Sequence, residues 1–422
     1  MSDVIEFYQQ QAKGYFSTIP WLAKLQEKGL AELQHFGFPT RHQEDWKYTL
    51  VDSLLSLRFT QQPSNQTTQV KTGIKLPLNI HVLVQNGQVF NEAIPISDLP
   101  PGVLIESLAT ALEQHPDKIK PYLGQALHHE HGFQALNTAM LRCGVIVYLP
   151  AGVCIEDPII LSHWQDQENQ AVHSRFVIIA GEGSQATIVE DYSGVGAGNY
   201  FTNTVTEVFA AKDARLAHYK IQREAKSAYH IGHLSVKQAG GSQFESHALN
   251  LGGKLARSDI SLHLQEEHAR CLLNGIYVPT EGQHIDHHTA VHHQVPNCQS
   301  EQDYKGILMG RSRAVFNGKV IVAKDAQHTQ AHQQNKNLLL SAQAEIDTKP
   351  QLEIFADDVI CTHGATVGQL DEEALFYLAT RGIGRREASS YLIHAFAADN
   401  LRLVSNRILA DWMATLLNEQ LG

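Results

Sequence analysis

Six triplets of one formula recur through the middle of the chain: Ser184-Gln185-Ala186, Ala214-Arg215-Leu216, Ser242-Gln243-Phe244, Ala269-Arg270-Cys271, Ser312-Arg313-Ala314 and Ala342-Gln343-Ala344. Each is a small residue, then Gln or Arg, then an apolar residue. Their first residues lie 30, 28, 27, 43 and 30 positions apart. Gly152-Val153-Cys154, 32 positions before Ser184, reads as a degenerate first copy. From about residue 140, short runs of Val, Ile, Phe and Tyr alternate with Gly, Asp and Ser, and no long helical period interrupts them. A near-constant step with a small residue at a turn and an apolar one entering a strand marks a solenoid, whose coils bury their inward residues only against each other. The expected class is therefore mainly β, a right-handed β-helix core. A β-sandwich with chance similarity is the competing reading, and six copies in register weigh against it. The step of 43 is read as one insertion, the His-rich stretch 284–293.

Helical patterns flank this core. Trp21, Leu22, Leu25, Gly29 and Leu33 keep a three-four spacing that His35-Phe-Gly-Phe-Pro39 breaks. A polar stretch near 60–72 reads as a linker, Asn86-Gly87 as a hairpin turn between Ile80–Val84 and Val89–Phe90, and 105–113 and 122–131 as helical. Asp371-Glu372-Glu373 suits a helix start and Gly382 its stop. Beyond it Ala388, Tyr391, Leu392, Ala395 and Phe396 form one stripe, and Leu401, Val404, Ile408, Trp412 and Leu416 another. These helices are expected to cap the open end of the β-helix or to dock a partner. The organisation read here is 1–135 helical and mixed, 136–370 β-helix and 371–422 C-terminal helical domain.

Several classes are excluded by composition. A net charge of −11 with no Lys/Arg block argues against nucleic acid or an anionic membrane as partner. The N-terminus lacks a basic start followed by an apolar stretch, and no run of 18 apolar residues occurs. Five Cys without a Cys-x-x-Cys pair form neither a disulfide framework nor a zinc finger. A reducing, cytoplasmic compartment fits. No phosphate-binding loop of the G-x-x-x-x-G-K-[ST] type is present, so ATP hydrolysis by that mechanism is not expected.

Two segments carry ligand chemistry. Val359, Cys361 and His363 fall two apart and share one face of a strand, where a thiolate and an imidazole suit iron or zinc. Two ligands do not complete a site, so others must come from elsewhere, a second subunit included. The stretch 284–293 holds five His. On a strand, Asp286, His288 and His292 share one face and His287 and His293 the other; on a helix, His284, His288 and His292 would stack. Because the whole chain is His-rich, with 24 in total, this cluster is read as adventitious metal binding on a polar surface.

Longer runs add a resemblance. Ala356–Ile383, ADDVICTHGATVGQLDEEALFYLATRGI, preceded by EIDTKPQLEIF, resembles the C-terminal signature of the SufB/SufD family of iron–sulfur cluster assembly proteins. Arg41-His-Gln-Glu-Asp-Trp-Lys-Tyr-Thr49 is similar to the N-terminal motif of its SufD branch, and Arg313–Gly318 matches too. Gly364 after His363, and the lack of an N-terminal cysteine cluster, also favour that branch. The resemblance implies a non-enzymatic scaffold subunit. It would pair with a SufB-like paralogue through the β-helix ends and bind a SufC-like ABC ATPase through its C-terminal helices. It further implies a role for His363, with Cys361 beside it, in a transient iron or iron–sulfur cluster at the heterodimer interface, with no cofactor held tightly by the chain alone. Tyr391, Leu392 and Phe396 are the expected ATPase-docking residues, and an isolated chain could form a homodimer. From other classes, a β-helix polysaccharide enzyme or a His-rich metal-transfer protein would be the alternatives.

Overall fold

The computed structural model describes residues 2–61, 74, 76, 79–90, 99–196 and 198–421, so most of the polar stretch near 60–72 lies outside the described residues. Sixteen strands, from β4 (Cys143–Leu149) to β19 (Val359–Gly368), alternate between two parallel sheets. Among these sixteen, odd-numbered strands pair only with odd and even with even, so each coil contributes one strand to each sheet. The register is in line: Gln185, Arg215, Gln243, Arg270, Gln299 and Gln330 stand one above the next. The core is a mainly β solenoid flanked by helical regions at both termini. Among the described residues no helix is long and apolar enough to cross a membrane.

That register corrects the expected insertion. Arg215, Gln243 and Arg270 lie on the odd sheet, whereas Arg313 pairs with His284 and Glu345 on the even sheet. The long step is thus one full coil from Arg270 to Gln299 and half a coil from Gln299 to Arg313. The repeat changes sheets, and the His-rich segment is an ordinary rung, β14 (His284–His293). Cys154 bridges Gln185 in parallel, so the degenerate first copy joins the odd sheet one residue out of phase with the later copies.

At the N-terminal end the two sheets are extended by β1 (Ile80–Gln85), β2 (Gln88–Phe90) and β3 (Leu104–Ser107). Asn86 and Gly87, with φ of 48° and 82°, make the tight turn between β1 and β2 that their types favour. The helices α1 (Ser2–Lys13), α2 (Pro20–Phe36) and α6 (Gly132–Ala139) bury Leu33, Phe38, Trp46 and Phe133 against the outer face of the even sheet at Phe201, Tyr229 and Leu255. Residues 122–131 are turns instead of the expected helix. The amides of Gly124 and Ala126 go to the Glu207 carboxylate at 2.8 and 2.9 Å, which fixes the loop without an i→i−4 ladder.

The C-terminal helices do not cap the solenoid. The two longer ones, α8 (Arg385–Arg402) and α9 (Arg407–Leu421), lie along its flank. Val404, Leu409, Trp412 and Leu416 pack there on Tyr219, Ile221, Leu249 and Ile276 of the odd sheet's outer face. An amphipathic stripe specifies that a face is buried, not what it is buried against, and the outward apolar columns of the odd sheet claim it. Ile408 alone of the second stripe is exposed. The last coil, β18 (Glu345–Ile354) and β19, therefore ends in two unpaired edges.

Several imidazoles are buried, some inside the solenoid and some beneath the N-terminal region. Burial holds His163, His233, His284 and His293 at about 4 and His173 and His287 at about 3. Unfolded, each returns to about 6.5. Between these values the unfolded chain binds more protons than the folded one, so acid favours unfolding. The melting temperature should fall steeply from pH 7 to pH 5, with more than one proton taken up per chain unfolded. A flat profile over that interval would show that these rings do not lose their water on folding.

Candidate functional site

The uncapped end carries the Cys361–His363 segment. On β19, Cys361 stands in register with Ala331 and His363 with Gln333, and below these come Ser300 and Gln302. Ala331, Ser300, Gln302 and Gln333 are buried. Cys361 and His363 thus continue interior columns of the solenoid, and their face is the inward one, on which no further coil stacks among the described residues. Half-buried Cys361 packs with Val359 on Val320, Ala326 and Ala331, while His363 is exposed. Burial raises the Cys361 thiol, partly offset by a hydrogen bond with the Ala331 backbone, so the isolated chain holds it as a thiol. Forming the thiolate requires a positive charge or a metal brought to this end.

The flanking segments have a second, structural task. Trp46 of the N-terminal motif is buried beneath the Arg257 guanidinium, whose carbon stands 3.6 Å from the ring centre. Arg257 donates to the Asp45 carbonyl at 2.7 Å and to Asp286 at 2.8 Å, and Thr49 Oγ1 donates to Asp286 at 2.6 Å. Residues 45–49 therefore pin the N-terminal region to the even sheet. Arg257 and Asp286 sit on separate coils, so no spacing in the sequence announces this cluster.

His284, His288 and His292 share the outward face of β14 but do not converge. His284 Nε2 meets Thr49 Oγ1 at 2.9 Å, His288 Nε2 meets Asp286 Oδ1 at 3.0 Å, and His292 stacks on His263 at 4.5 Å. Eight residues along a strand span about 26 Å, too far for His284 and His292 to share an ion. His287 and His293 point inward and are buried. Of the docking residues expected on α8, Tyr391 is exposed and Leu392 half-buried. Phe396 is half-buried too, its ring 5.0 Å from Lys305 Nζ. The helix α7 (Glu372–Thr380), N-capped by Asp371, adds exposed Phe376 and Tyr377, which periodicity did not single out.

Comparison with known proteins gives concordant matches. Residues 163–396 match the family model described as SUF system FeS cluster assembly, SufBD core domain, and residues 1–161 match the SufBD protein N-terminal region. The chain is 31% identical over 380 residues to the iron–sulfur cluster assembly protein SufD of Escherichia coli, covering 88% of this chain and 87% of that one. It is 30% identical to an iron–sulfur cluster assembly SufBD family protein of Synechocystis, over 86% of this chain and 83% of the relative. A chloroplastic protein of Arabidopsis thaliana, ABCI7, is 29% identical over 94% of this chain and 85% of its own length.

Proposed function

The chain belongs to the SufBD family of iron–sulfur cluster assembly proteins, on its SufD branch, and from that premise we propose that it is the non-ATPase scaffold subunit that pairs with a SufB-like paralogue and binds a SufC-like ABC ATPase. The observation that carries this reading is the unpaired last coil. An exposed sheet edge is a template for a further strand, and a monomeric protein ordinarily blunts it. Here Ile354, Phe355, Ile360 and Val367 are exposed around Cys361 and His363. A paralogue docked on this end would cover them and supply the ligands that a Cys/His pair lacks. Iron and sulfide are cargo at that junction, and His363 is the residue proposed to act on them, with Cys361 adjacent.

The ATPase contact is assigned to the exposed aromatic face formed by Phe376 and Tyr377 on α7 and Tyr391 on α8. Leu392 borders it, and Phe396 braces α8 against Lys305 from the opposite side. Co-expression of the chain with the SufB-like and SufC-like proteins of its host should give one complex containing all three. Phe376→Asp combined with Tyr391→Asp should release the ATPase while the paralogue remains and the melting temperature holds. A chain that elutes alone from the unmodified co-expression would overturn the partner reading.

A further inference from the structure

The N-terminal region leaves a cleft of about 640 Å³ against the outer face of the even sheet. Three potential ligands meet in it: His131 at the N-cap of α6, His233 on β10 (Tyr229–Gln238) and Asp259 on β12 (Leu255–Leu264), all with ligand atoms within 4.8 Å of one another. The two rings lie 5.0 Å apart, centre to centre. His233 Nδ1 is 3.5 Å from Asp259 Oδ2 and 3.4 Å from Gln134 Nε2, while its Nε2 is buried with no hydrogen-bond partner among the described residues. A buried ring nitrogen left unpaired costs free energy that a bound ligand would recover. Burial holds His233 at about 4 and His131 well below its ordinary value, so both rings are neutral near pH 7.

The carboxylate is fixed from behind. Arg257 donates to Asp259 through Nε and Nη2 at 2.8 to 3.1 Å, as outer partners orient ligating carboxylates. The same guanidinium faces Asp286, so the two carboxylates it touches exceed its single charge. The amide of Phe133 reaches His131 Nδ1 at 3.3 Å, beyond the usual hydrogen-bond range, so coordination by His131 displaces only a weak cap.

We propose that His131, His233 and Asp259 form a binding site for one divalent transition-metal ion. Two imidazoles and one carboxylate suit borderline ions such as Fe²⁺ and Zn²⁺, and three protein ligands leave coordination positions open, as in sites that exchange or present their metal. The cleft runs on past His263 and His292 to Glu353 on the last coil, which gives the ion an open approach. This site is separate from Cys361 and His363, and it does not rest on the interface reading.

Equilibrium dialysis of the full isolated chain against Co²⁺, a spectroscopic stand-in for both ions, tests it. One ion per chain is expected. His233→Gln and Asp259→Asn should each weaken binding at least about tenfold, while His292→Gln in the same cleft and His363→Ala change it less than about twofold. Should the buried variants fail to fold, hydrogen exchange of the unmodified chain with and without Co²⁺ decides, with slowing expected in peptides carrying His131, β10 and β12. Sub-stoichiometric Co²⁺, unchanged binding in both site variants, or protection confined to 284–293 or 359–368 would overturn the proposal. Since the partner proteins are absent from this experiment, its failure leaves the scaffold reading standing.

Discussion

A chain carrying Ile360→Asp and Val367→Asp is expected to elute as a single subunit beside its paralogue, where the unmodified chain elutes as a pair. Both residues lie on β19, 60% and 49% exposed, so neither holds the isolated fold together. The two edges of the last coil are not equivalent. β18 contains Pro350, which lacks the N–H that an incoming strand would need, whereas β19 has no proline. Strand addition should therefore favour β19. Two carboxylates placed there would have to lose water against a partner surface, at several kcal/mol each by analogy with other buried unpaired charges. The pairing constant should fall at least about 100-fold, with stability changed by no more than about 0.5 kcal/mol. Unchanged mass for the double variant would place the interface elsewhere.

Glu207→Ala should be the most destabilising single substitution in the molecule, at about 3 to 5 kcal/mol in chemical denaturation. On β8 (Phe201–Ala210), Glu207 is fully buried and accepts from Arg175 Nη1 at 2.6 Å. Arg175, itself fully buried on β6 (Ala171–Ala180), donates also to Asn137 and Thr138 of α6. With the amides of Gly124 and Ala126 on the same carboxylate, this pair joins two coils, the 124–127 loop and α6. Removing one partner leaves the other charged, buried and unpaired, whereas removing both as Arg175→Met with Glu207→Leu should recover much of the loss. A loss below about 1 kcal/mol for Glu207→Ala would mean that water reaches the pair.

The solenoid was legible because its repeat sits where the geometry is strictest. The small-Gln/Arg-apolar triplet marks a strand entry, and in-line stacking of Gln185, Arg215, Gln243 and Arg270 keeps it in phase. The same signal misled between Arg270 and Arg313 because both sheets use the formula, and a sequence does not say which sheet a copy enters. Cys361 and His363 were placed on one face by a period of two, which is local information. That the face is the inward one of an unpaired coil depended on where the C-terminal helices went, and their stripes could not say. His131, His233 and Asp259 come from three elements brought together only by docking of the N-terminal region. Trp46 was visible as part of a family motif, but its partner Arg257 lies 211 positions away.

His363 acting on iron and sulfide at a junction between two chains is the proposal on which the function rests. Its most direct test is the iron and sulfide content of the anaerobically purified three-protein complex, measured beside the same complex carrying His363→Ala. His363 is exposed on the last coil, so its removal should leave the mass of the complex unchanged. That mass is expected with cluster content reduced at least about tenfold, as for loss of one ligand in an otherwise intact site. An intact complex with full cluster content would contradict it.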